Sequence, residues 1–73
     1  MKTKTFKSEY ILGSKVKVIK GANLIDFTFG DGTRYYHAKN YNDHSYGLLE
    51  MELEISYMSS YYAGKITDWL KTV

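Results

Sequence analysis

The sequence predicts an α+β domain: an antiparallel sheet of four to five strands, laid out as a meander and able to curl toward a barrel, with one C-terminal helix. Three observations predict it. Turn-forming clusters fall at Gly13-Ser14, Gly21-Ala22-Asn23 and Gly30-Asp31-Gly32, a spacing of eight to ten residues that suits successive antiparallel strands. The segments between them are rich in β-branched and aromatic residues, mostly alternating with polar ones. Near the end the period changes, and Tyr62, Ile66, Trp69, Leu70 and Val73 recur as one apolar helical stripe would.

Taken in order, residues 8–12, 15–20, 24–29 and 33–38 form the expected strands, and the chain holds no proline to demote any of them. In the third hairpin, Asp31-Gly32 supplies the residues of a two-residue type I′ turn, which sets Phe27 opposite Tyr36 and Asp26 opposite His37. The first hairpin is less regular. Centring it on Gly13-Ser14 would oppose Lys7 and Lys20, a like-charge pair, so a bulge or a shorter first strand is expected. Residues 39–47 are polar and aperiodic and form the longest expected loop. In residues 48–57, Leu49, Met51, Leu53, Ile55 and Tyr57 alternate with Glu50, Glu52, Glu54 and Ser56, which favours a strand. The same residues place Leu48, Met51, Ile55 and Met58 near one helical face, so a helix is the alternative. Ser59 or Ser60 caps the final helix, and Gly64 delays its start toward Lys65. Val16, Val18, Ile25, Phe27, Tyr36, Leu53, Ile55, Ile66, Trp69 and Leu70 form the expected core.

At 73 residues the chain is expected to be a single domain spanning 1–73. It has no cysteine, so neither disulfides nor thiolate metal ligands hold it together. The basic start, Met1 to Lys7, is followed by no apolar run and no stretch is long enough to span a bilayer, which makes the cytoplasm the expected compartment and excludes a membrane partner. The net charge of +2 conceals a division: residues 1–39 carry eight Lys/Arg against three Asp/Glu, and residues 40–73 carry two against five. Eight tyrosines among twelve aromatic residues suit half-buried sheet faces and binding surfaces alike.

Catalytic constellations are sparse, and the expectation is a protein that is not an enzyme and needs no cofactor. His37 is expected in a surface pair with Asp26. A triad of Asp43, His44 and Ser45 fails because loop neighbours do not face one another at bonding distance. His37, Asp43 and His44 match no metal-ligand spacing, and Gly30-Asp31-Gly32 precedes a strand where a phosphate loop needs a helix.

The function expected is therefore surface contact: a non-catalytic protein-binding module that inhibits or modulates a larger enzyme, such as a nucleic-acid-processing complex. Its contact residues are Tyr41, Asn42, Asp43, His44 and Tyr46 of the loop, with Glu50, Glu52 and Glu54 beside them. Those three glutamates form either a ladder with Lys15 and Lys17 or a carboxylate row that docks on a basic groove. An alternative uses Lys15, Lys17, Lys20, Arg34 and Tyr35 to bind single-stranded nucleic acid, with the other basic residues of the first half in support. A further alternative is a homodimeric structural subunit joined through a strand edge. In general style, without any shared motif, a short chain rich in Lys, Tyr and Asn and free of Cys and Pro looks like the small accessory proteins with which phages and mobile elements of AT-rich hosts block host enzymes.

Overall fold

The computed structural model describes residues 1–7, 14–41 and 46–73. Four strands, β1 (Lys2–Lys7), β2 (Lys15–Lys20), β3 (Ile25–Gly30) and β4 (Tyr35–Tyr41), are followed by two helices, α1 (Tyr46–Ser56) and α2 (Ser60–Thr72). The strands form one antiparallel sheet in the order β1-β2-β3-β4, so the meander is open and β1 and β4 are its edges. The α+β class and the antiparallel sheet are as expected. The second helix is not, and neither a fifth strand nor closure into a barrel occurs among the described residues.

The first strand lies earlier than the turn signals place it, and the expected strand at residues 8–12 falls outside the described residues. In β1 the β-branched Thr3 and Thr5 alternate with Lys2, Lys4 and Phe6, a strand pattern disguised by its lysines. The first hairpin therefore sets Lys7 opposite Lys15 and Lys2 opposite Lys20 rather than Lys7 opposite Lys20.

The third hairpin is also corrected. Gly30 pairs with Tyr35, Phe29 with Tyr36 and Thr28 with His37, so four residues form the turn rather than two. Among the described non-glycine residues none has positive φ, and Gly32 at φ 99° alone adopts it, so Asp31 does not take the type I′ conformation. Instead the Asp31 carboxylate accepts bonds from the Thr33 amide (2.9 Å), the Thr33 hydroxyl (2.7 Å) and the Arg34 amide (2.9 Å), which closes the turn from its own first residue. An irregularity after Phe27 then shifts the register, placing Phe27 opposite Lys39 and Asp26 opposite Asn40.

Period two fixes which sheet residues face the helices. Val16, Val18, Ile25, Phe27 and Phe29 are buried on that face, where they meet Leu49 and Leu53 of α1, Met58 of the connection, and Ala63, Ile66 and Leu70 of α2. Burying each large apolar side chain contributes about 1.5–3 kcal/mol. Phe6 packs edge-to-face on Trp69 at 5.9 Å, and Phe29 stacks on Tyr57 at 5.0 Å, so an aromatic pair anchors each helical segment to a different strand. Two expected core residues are exposed: Tyr36, which lies on the uncovered edge strand (59%), and Ile55, which the helix turns outward (76%).

Residues 46–56 are helical because Leu, Met and Glu are strong helix formers and no β-branched residue interrupts them before Ile55. The helix splits the alternating apolar set, sending Leu49 and Leu53 inward and Met51 and Ile55 outward. Its end is closed by the Tyr57 and Met58 amides, both donating to the Leu53 carbonyl at 2.9 Å. The second helix begins at Ser60, with Ser59 in extended conformation as its N-cap, so Gly64 does not delay it. No helix of the described residues is long and apolar enough to cross a membrane.

Candidate protein-binding surface

The expected loop of residues 39–47 divides into three parts. Lys39, Asn40 and Tyr41 belong to β4, Tyr46 and Gly47 open α1, and Asn42, Asp43, His44 and Ser45 lie outside the described residues. Tyr41 and Lys39 lie on the helix-covered face of β4, and both bond the Glu52 carboxylate of α1. The three groups hold the middle of α1 against the sheet edge. Tyr46 reaches inward, its hydroxyl 3.4 Å from the Leu70 carbonyl and 3.0 Å from the Lys20 ammonium.

Glu50, Glu52 and Glu54 do not form a row, because on a helix residues two apart diverge. Glu50 turns toward α2 and accepts the Thr67 hydroxyl at 3.1 Å, whereas Glu52 turns toward β4. The buried Thr67 hydroxyl also lies 3.1 Å from the Gly64 carbonyl and 3.2 Å from that of Ala63, so it joins the two helices at a point of close approach. Neither the ladder with Lys15 and Lys17 nor the carboxylate row is formed.

The outer side of α1 carries what the sequence reading missed. Leu48 (56% exposed), Met51 (51%) and Ile55 stand at spacings of three and four on one side of the helix. With Tyr41, Glu52 and Ser56 they line a groove of about 310 Å³ between α1 and the free edge of β4. The helical spacing of Leu48, Met51 and Ile55 was visible in the sequence, but nothing there said that this side would stay uncovered.

The nucleic-acid candidates are separated. Lys15, Lys17 and Tyr35 lie on the sheet face away from the helices, with the Lys17 ammonium 5.9 Å from the Tyr35 ring centre, and Arg34 is in the adjacent turn. Lys20 is on the opposite face and donates to the Leu70 and Val73 backbone oxygens, both at 2.7 Å. It serves as the terminal cap of α2, where the helix dipole favours a cation.

His37 Nε2 lies 2.7 Å from Asp26 Oδ1, the expected pair, reached diagonally across the shifted register. The pair is on the open sheet face, and among the described residues no nucleophile is bonded to it and no group of three His, Asp or Glu could hold a metal ion. The Asp31 carboxyl is held down at about 2, first by the Thr33 hydroxyl and then by the Arg34 and Thr33 amides. Lys65 is raised above its ordinary value, first by its hydrogen bond with Tyr61, whose ring lies 4.7 Å from the ammonium.

Comparison with protein-family models, curated proteins and solved structures finds no match.

Proposed function

We propose that this chain is a non-catalytic protein-binding module that occludes or modulates a larger enzyme through the outer side of α1. The observation that supports it is the uncovered stripe of Leu48, Met51 and Ile55 beside the groove at Tyr41. Contiguous exposed apolar side chains on a small chain mark a contact surface, because leaving them in water forgoes the burial free energy that a partner would supply. The partner's chemistry follows from the rim. Glu50 and Glu52 are bonded within the chain, which leaves Glu54, three residues on from Met51, as the charge beside the stripe, and the helix carries no Lys or Arg, so the complementary surface is an amphipathic helix with a basic flank laid into the groove between α1 and β4. Enzymes that bind nucleic acid carry such basic surfaces for their phosphate-bearing substrates, which makes them the favoured class of target.

A photo-crosslinking residue in place of Leu48 tests this reading. It is expected to capture one larger protein whose activity falls when the unmodified chain is added. The same capture and inhibition should drop at least about tenfold in the Met51→Lys/Ile55→Lys variant, the loss expected from about 1.4 kcal/mol of binding free energy. Equal capture by that variant would refute the surface. Cross-links solely between copies of this chain would replace the module with a homodimeric subunit.

A further inference from the structure

The opposite edge of the sheet has a different character. Two shallow clefts meet over β1, one lined by Lys4, Thr5, Phe6, Lys7, Tyr62 and Lys65, the other by Thr5, Phe6, Lys7 and Lys15. They share Thr5, Phe6 and Lys7, so together they run from α2 across the edge strand β1 to β2. Among the described residues no carboxylate lines either cleft. Lysines on so short a path repel one another and are kept in place without a compensating acid among the lining residues, which creates a concentrated positive potential.

We infer that this continuous cleft, with Lys4, Lys7, Lys15 and Lys65 around Phe6 and Tyr62, binds single-stranded nucleic acid. Three features select that ligand over other polyanions. The cations are interleaved with aromatic rings: the Lys4 ammonium lies 5.3 Å from the Phe6 centre and that of Lys65 lies beside Tyr61, the combination that engages phosphate and base together. The strip continues onto the open sheet face through Lys17 and the Tyr35 ring it overlies, extending the track past a single phosphate. The cleft is a trough between a strand edge and the side of α2, which admits a flexible single strand, whereas reading a duplex requires an element that projects into its major groove. The inference is independent of the α1 surface, which lies beyond the other sheet edge.

Fluorescence anisotropy of a labelled oligodeoxythymidine of about 15 nucleotides tests it, because a single-strand site loses affinity with salt at a slope of about 0.7 per phosphate contacted. Wild type is expected to bind at low salt with a steep slope, and Lys4→Gln/Lys65→Gln should flatten that slope by about 1.4, two contacts at 0.7 each. All four substituted or neighbouring lysines are on the surface, so circular dichroism should report an unchanged fold. If that double variant nevertheless unfolds, Lys7→Gln/Lys15→Gln carries the same expectation. No binding at low salt overturns the inference, as does a slope that survives both pairs of substitutions. Poly-L-glutamate of matched charge that displaces the oligonucleotide as well as unlabelled oligodeoxythymidine does would also overturn it, since a peptide offers charge without bases. Met51→Lys/Ile55→Lys, used against the α1 surface, should leave this binding intact.

Discussion

At single residues, the turn between β3 and β4 shows how local chemistry overrides a favoured pattern. A Cβ on Gly30 would lie 1.9 Å from the Arg34 carbonyl oxygen, so glycine is required there by close approach of two backbones. Asp31 then spends its carboxylate on three donors of its own turn, which is a different use of Asp-Gly from the two-residue reversal that the pair predicts. The charged carboxylate is the form these bonds favour, so the folded chain holds it at about 2 against an ordinary 3.8. Its contribution to stability is present above pH 3.8 and is lost as pH falls from there through about 2. NMR titration of the Asp31 carboxyl should give a midpoint near 2, and Thr33→Val should move it up toward 3.8 without reaching it, because two amide donors remain. A wild-type midpoint at the ordinary value would show that the turn does not close in this way.

At the level of elements, β2 and β3 were legible in the sequence because both bury one face completely, so their alternation is sharp: Val16 and Val18 in one, Ile25, Phe27 and Phe29 in the other. The edge strands were less legible. Lysines in β1 conceal its pattern, and the irregularity after Phe27 breaks the register of β4. The last helix was legible from its 3.6 period. Residues 46–56 fit both periods, and local propensity decided for the helix. Of the expected contact residues, Tyr41, Tyr46, Glu50 and Glu52 hold the fold together instead of standing free, which no spacing rule reveals because it depends on which elements meet. The helix makes a sharp forecast for two residues that a strand would treat alike. Leu53→Ala should cost about 2–5 kcal/mol, and Ile55→Lys should stay within about 0.5 kcal/mol in urea unfolding. Comparable losses at both positions would restore the strand.

Across the whole molecule, two layers meet along one apolar face, and polar ties at its ends set their alignment. Lys39 and Tyr41 hold α1 to the β4 edge through Glu52, and Lys20 holds the end of α2 to the end of β2. The same division leaves a basic cleft at the β1 edge and an apolar groove at the β4 edge, with the sheet between them. Lys20 is thus removed from the ligand surfaces and made structural: its ammonium bonds the backbone oxygens of Leu70 in α2 and Val73 just after it, and the Tyr46 hydroxyl, whose ring it also approaches at 5.6 Å. Methionine keeps the apolar stem but leaves those oxygens without their charged donor. Lys20→Met should therefore cost about 1–3 kcal/mol, seen as a lower urea midpoint at unchanged slope. Amide exchange should accelerate first in the last turn of α2, and oligonucleotide affinity measured below the unfolding transition should be unaltered. A loss of oligonucleotide binding at full stability would instead place Lys20 in the basic cleft.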